Sequence, residues 1–326
     1  MSLFSLVVPL YKSAPNLPRL LSELHALQAR VPMDFEVVLV DDGSPDACQQ
    51  ILQQALPTCG FRTRLVSLSR NFGAFPAITA GLRAANGDYL AVLAADLQEP
   101  PELALEFLQI MRAGEADVVF GTRASRADSL LSTATSNLFW WVYRTWVNPD
   151  IPSGGVDVFG CTRKVRDKLC ALDEVETNLI ALLFWLGFRR RFVPYNRAPR
   201  TEGASAWTLA KKLRYSVNSL FGFTDLPLFA LQVCGLVGVI LATVGGVVVL
   251  ASRLLGYIET VGYTPIVLAI LFFGGMTVLG LGILGQYVWL SLQNARRRPL
   301  FVVSDVVEFE GAAGPAAPGS PRQTTA

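Results

Sequence analysis

Asp96 and Gln98 stand two residues apart where an apolar run, residues 89–94, gives way to a polar turn and the pair Pro100-Pro101. One carboxylate oxygen and one amide oxygen are hard donors, suited to a divalent cation that also carries phosphates. The run before them has the near-continuous apolar character of a strand covered on both faces, and a proline pair is at home in the first turn of a helix. Asp96 and Gln98 would then sit at a strand's carboxyl end, the edge at which open α/β sheets bind ligands. The stretch reads equally well as a solvated loop with a capping Asp.

Other residues able to do chemistry also follow strand-like segments. Asp41-Asp42-Gly43-Ser44 follows residues 35–40, and Ser69-Arg70-Asn71-Phe72-Gly73 follows residues 64–68. Thr122 and Arg123, with Arg126 beyond, follow residues 117–121, and Asp157 lies in an apolar setting after a Gly-rich turn. His25 is the only histidine, which excludes Ser-His and Cys-His catalysis and His-based metal sites. The five cysteines are odd in number and lack CxxC spacing, so they suggest neither a disulfide framework nor a zinc site and fit a reducing compartment. Chemistry must therefore rest on carboxylates, arginines and a cation.

The elements that position these residues alternate. Residues 3–8, 35–40, 64–68, 89–94 and 117–121 read as strands, and helical spacing follows at residues 17–27, up to Leu56 with Asp46 as cap, at 77–85 and after Pro100-Pro101. Residues 176–186 read as a further helix and residues 192–195 as a closing strand. Strands alternating with helices imply a mostly parallel, doubly wound α/β sheet. The first ten residues, with a short apolar run broken by Pro9 and no basic leader, read as a strand rather than a signal peptide.

With 326 residues, 52% of them hydrophobic, and a mean hydropathy of +0.40, the chain is too apolar for a purely soluble domain and implies a membrane part. Residues 226–252 and about 264–291 are uncharged and long enough to cross a bilayer, which takes ~20 residues. Gly238, Ala242 and Gly246 would put small residues on one face of the first span, by chance or for close packing. Ahead of the spans, residues 207–220 carry apolar positions interleaved with Lys211, Lys212 and Arg214, the pattern of a helix lying on the membrane surface. Net charge is only +2, yet residues 189–214 hold eight Lys or Arg against Glu202 alone, a patch that calls for an anionic partner or membrane surface. The cationic outer flanks, including Arg296-Arg297-Arg298, place both ends of the hairpin in the cytoplasm. The expected division is a domain at 1–206, a juxtamembrane helix at 207–225, two membrane helices within 226–295 and a cytoplasmic tail at 296–326, disordered from 311.

In order and spacing, Val8-Pro9-Leu10-Tyr11, Val40-Asp41-Asp42-Gly43-Ser44, Leu68-Ser69-Arg70-Asn71-Phe72-Gly73, Ala95-Asp96-Leu97-Gln98-Glu99-Pro100-Pro101-Glu102 and Tyr195-Asn196-Arg197-Ala198-Pro199-Arg200 resemble the polyprenyl-phosphate glycosyltransferases. These form the dolichol-phosphate-mannose-synthase-like branch of glycosyltransferase family 2, with a Rossmann-like GT-A domain. The resemblance implies a nucleotide-sugar donor held by Pro9, Tyr11, Asp41, Asp42 and Arg70, and Mg²⁺ or Mn²⁺ on Asp96 and Gln98. It implies catalytic roles for Asp96 and Asp157, and phosphate or acceptor contacts from Arg123, Arg126, Arg197, Arg200 and Lys211. It further implies a polyprenyl phosphate acceptor such as undecaprenyl phosphate, a bacterial inner-membrane setting, room for a homo-oligomer and no nucleic-acid partner. Ala94 stands where the family has the first of two aspartates, and Lys12-Ser13 where it has Asn-Glu. Two rivals are a processive polysaccharide synthase, which would carry Gln-x-x-Arg-Trp and more spans, and a scaffold of the same fold that has lost its chemistry.

Overall fold

The computed structural model describes residues 2–123, 151–152, 156, 158–172, 179–198, 226–255, 263–296 and 298–311. Leu3–Leu10 (β1) forms the middle of a sheet because nearly every side chain in it is apolar and both faces are covered. Asp34–Asp41 (β2) and Tyr89–Val92 (β4) lie parallel to it on either side, and Arg62–Leu68 (β3) lies parallel to β2. Val158–Thr162 (β6) runs against both β4 and Val118–Arg123 (β5), so β4 and β5 point the same way. Arg190–Tyr195 (β7) is parallel to β5, and Val303–Phe309 (β8) is antiparallel to β3 at the far edge. Among the described residues this gives one sheet of eight strands in the order β7-β5-β6-β4-β1-β2-β3-β8.

Alternation along the central strands sends side chains to two cores. Leu6, Val8, Val37 and Leu39 face one side, beneath Leu17–Gln28 (α1), Cys48–Ala55 (α2) and Glu102–Arg112 (α4). Val7, Val38 and Val40 face the other, beneath Ala74–Ala84 (α3), Arg163–Cys170 (α5) and Leu179–Trp185 (α6). Each such side chain, fully removed from water, contributes ~1.5–3 kcal/mol. The sheet is therefore doubly wound, and its α/β arrangement is of the expected GT-A kind. α3 approaches so closely that a Cβ on Gly81 would lie 2.3 Å from a methyl of Val7, which is why a small residue stands there.

The structure amends several expectations. β4 ends at Val92 rather than Ala94, because the chain leaves the sheet after the Leu93 N–H donates to the Val7 carbonyl at 3.0 Å. β6 and the highly charged α5 carried no clear periodic signal. α6 starts at Leu179 and the preceding part of the expected helix lies outside the described residues, while β7 begins two residues early at Arg190. The largest change concerns the tail: residues 303–309 are a strand of the same sheet, paired with β3 and tied by an ion pair of 2.7 Å between Arg64 and Glu308. Its alternating apolar residues find a partner only through tertiary pairing.

Leu226–Leu254 (α7) and Tyr263–Ala295 (α8) are each long and apolar enough to cross a membrane. Their side chains face outward, with Leu236, Ile270 and Val278 exposed by 63%, 66% and 70%. Residues 207–220, expected as a surface helix, lie outside the described residues.

Candidate active site

The six strands β1 to β5 and β7 run the same way, with β6 and β8 against them, so the six carboxyl ends share one edge, and those of the expected site residues that are described fall there. Pro9 lies near the end of β1, Asp41 closes β2 opposite Leu10, and Arg123 closes β5 opposite Tyr195 of β7. β6 starts at this edge with Val158, one residue beyond Asp157. Asp157, Arg126, Arg200 and Lys211 lie outside the described residues.

Three loops join into one pocket wall. The Asp42 N–H donates to the Leu10 carbonyl at 2.9 Å, and the Lys12 N–H donates to Ser44 Oγ at 3.2 Å, tying the loop after β1 to the loop after β2. Lys12 achieves this at φ 53, a left-handed conformation that non-glycine residues adopt only under local constraint. Asp41 Oδ1 accepts the Ser44 N–H at 3.1 Å, closing the turn on itself. Asp42 reaches into the loop after β3, where its carboxylate accepts the N–H groups of Phe72 at 2.7 Å and Gly73 at 2.9 Å. Gly43, at φ 60, lies against the Arg70 backbone so tightly that a Cβ would come within 2.4 Å of its carbonyl carbon. Arg70 extends over the Phe72 ring at 4.0 Å and donates to the Asn71 carbonyl at 3.1 Å. Tyr11 is 40% exposed beside this wall, with the Lys12 ammonium 5.6 Å from its ring centroid.

Burial pushes the Asp42 carboxyl up from its ordinary value, and the Asp41 charge adds to that. The Phe72 and Gly73 N–H groups and the Arg70 guanidinium oppose it. Burial also pushes the Cys48 and Cys161 thiols up to about 12, so neither supplies a thiolate.

On the other flank of β1, Leu97 at φ 50 makes the sharp turn between Asp96 and Gln98. Gln98 is almost fully buried, its N–H reaching Asp96 Oδ1 at 3.4 Å and its carbonyl accepting the Ala198 N–H at 2.8 Å. The loop after β7 is thereby fastened to the loop after β4. Glu99, 2% exposed, completes the fastening: the Tyr195 hydroxyl donates to Oε1 at 3.5 Å and the Arg197 Nε lies 3.6 Å from the same oxygen. Sequence reasoning gave Glu99 no role, because a Glu ahead of Pro-Pro looks like the start of a helix. Its signal was position alone, directly after Gln98.

The basic patch divides. Arg189 donates to Asp117 at 3.0 Å and Arg191 lies 3.6 Å from Glu115. Both sit at the start of β7, the edge opposite the site, and each has a carboxylate beside it. The Arg189 guanidinium holds the Asp117 carboxyl below its ordinary value.

Asp96 and Gln98 offer the oxygen donors that a hard divalent cation takes, and the turn at Leu97 brings them to one strand end. Among the described residues no three His, Cys, Asp or Glu side chains cluster closely enough to hold a metal ion by themselves.

The pattern of glycosyl transferase family 2 matches residues 5–164. A glycosyltransferase of Synechocystis sp. is 31% identical over 308 residues, covering 94% of this chain and 96% of its own. A prophage bactoprenol glucosyl transferase homolog of Escherichia coli is 28% identical, covering 93% of this chain and 98% of its own. Among solved structures, mannosyl-3-phosphoglycerate synthase from Rubrobacter xylanophilus is 18% identical with a TM-score of 0.46, covering 67% of this chain and 71% of its own.

Proposed function

Because the chain belongs to glycosyltransferase family 2 and is a glycosyltransferase, we propose that it transfers a sugar, with inversion, from a nucleotide-sugar donor to a membrane polyprenyl phosphate such as undecaprenyl phosphate. The observation that carries this reading is the presence in one chain of polar loops gathered at the carboxyl edge of the sheet and of two long helices whose apolar side chains face outward. A relative named for glucosyl transfer involving bactoprenol, matched along nearly its whole length, supports the lipid acceptor.

In this mechanism the phosphate oxygen of the acceptor attacks the anomeric carbon from the face opposite the leaving group. The new carbon–oxygen bond forms as the bond to the nucleoside diphosphate breaks, and the electron pair leaves with the diphosphate. A phosphate monoester, with a second pKa near ~6, is already largely dianionic at neutral pH, so little deprotonation is required. Tyr11, Pro9 and the Asp41–Asp42 turn hold the nucleoside, and Arg70 lies beside the diphosphate. Asp96 and Gln98 would hold Mg²⁺ or Mn²⁺, which when bound neutralises charge developing on the leaving group. Arg123 and Arg197 at the strand ends suit phosphate oxygens through their planar forks, with Glu99 keeping Arg197 in place. By the family resemblance Asp157 orients the acceptor, and Arg126, Arg200 and Lys211 contact its phosphate.

The pairing of β8 with β3 supports a hairpin in which catalytic domain and tail share the cytoplasmic face of the bacterial plasma membrane. Probes placed at positions 256 and 320 should then react from opposite faces, and labelling from one face would refute the hairpin. The acceptor is tested by competition: in detergent the protein should glycosylate a polyprenyl phosphate far faster than a water-soluble alcohol or sugar. Equal rates would remove the lipid from the reaction.

A further inference from the structure

We propose that the segment leaving the second apolar helix, Phe301 to Ser304, is a positioning element of the donor pocket: it holds the loop between β3 and α3 in the shape that Asp42 requires. The term donor pocket rests on the function proposed above, whereas the contacts do not. The Ser69 N–H donates to the Val302 carbonyl at 2.9 Å, and Ser304 Oγ donates to the Ser67 carbonyl at 2.9 Å. The strand register slips between Ser67 and Leu68, so these two bonds grip the chain where it leaves the ladder and turns into the loop. Three residues beyond Ser69 the same loop presents the Phe72 and Gly73 N–H groups to Asp42. At the far end of α3 the Arg83 guanidinium lies 5.4 Å from the Phe301 ring, which packs against the core beneath α3. A short piece of tail thus holds the end of β3 and the end of α3, and the loop between those elements forms one wall of the site.

The same piece is the exit from the membrane helix. Residues 296–302 alone connect Ala295 to Val303, a reach of at most ~25 Å for extended chain. A shift of the apolar helix pair is therefore felt at the Ser69–Gly73 loop before it is felt in the central strands, where β1 and β2 have no contact with the tail's hydrogen bonds. Phe301 and Ser304 touch no reacting atom and act through the loop.

The test compares the full-length protein, the double variant Phe301→Ala with Ser304→Ala, and Phe301→Tyr, which keeps a ring beneath Arg83. Hydrogen exchange at the Phe72 and Gly73 amides, read without any substrate, should quicken by about tenfold or more in the double variant. Amides of β1 and β2 should hold their rates, and Phe301→Tyr should restore the loop. With whichever nucleotide sugar the wild type turns over, the double variant should raise KM for that donor about tenfold and change kcat and acceptor KM less than threefold. Unchanged exchange at Phe72 and Gly73 in a folded double variant would overturn the proposal, and so would a loss confined to kcat. If the wild type transferred no sugar at all, the functional reading would fail while the exchange experiment still decided this one.

Discussion

Replacing Asp96 by Asn should lower kcat by on the order of 10²–10³, the usual loss when one group stabilising transition-state charge is removed, and should leave the melting temperature nearly unchanged. The shape is retained and only the charge goes, at a strand-end turn rather than within either core. Since Ala94 supplies no second carboxylate, the free protein should bind Mn²⁺ weakly, and a nucleoside diphosphate should tighten that binding at least about tenfold as its oxygens complete the coordination. Titration calorimetry with Mn²⁺ alone, then with Mn²⁺ and a nucleoside diphosphate, separates the two. Full activity of Asp96→Asn, or undiminished activity in excess EDTA, would move the chemistry elsewhere and favour the scaffold reading.

Asp42→Ala should produce the second large effect, in binding rather than turnover. It strips the acceptor from two N–H groups, each costing about 1–3 kcal/mol if left unsatisfied, and lets the Arg70–Gly73 loop relax. Donor KM should rise about 10- to 100-fold with kcat reduced less. The ionised form of Asp42 gives a pH signature as well. Because its folded pKa is raised, its contribution to stability is fully present below the ordinary 3.8 and is lost as pH rises through the folded value. Donor binding should run the other way, since protonation removes one of the oxygens that hold the loop. As pH falls toward the raised pKa, donor KM should climb while Asp42 contributes no loss of stability. A donor KM flat across the acidic range, with unfolding driven by Asp42 instead, would contradict this assignment.

The parallel half of the sheet was legible because β1, β2 and β3 each carry a short apolar stretch that stops at a polar turn, as a strand buried in a parallel sheet does. The wall proposed to hold the donor was legible for the same reason: Asp41, Asp42 and Arg70 follow such stops. What could not be read depended on partners distant in sequence. β6 is five residues long with a glycine in the middle, and it becomes a strand only because β4 and β5 leave a gap that an antiparallel segment fills. β8 lies beyond the apolar helices and reads as tail until β3 offers an open edge. Glu99 was on the page in the motif, yet its task emerges only when β7 delivers Tyr195 and Arg197 to it. Arg189 and Arg191 read as one run of like charge until Asp117 and Glu115 are seen beside them.

The most direct measurement incubates the protein in membranes containing undecaprenyl phosphate with a panel of nucleotide sugars and Mg²⁺, and reads the lipid fraction by mass spectrometry. The predicted result is a lipid whose mass grows by one sugar residue with a single preferred donor, absent from Asp96→Asn and from membranes without the lipid phosphate. A wild-type protein that consumes a nucleotide sugar yet leaves the lipid mass unchanged would contradict transfer to a polyprenyl phosphate.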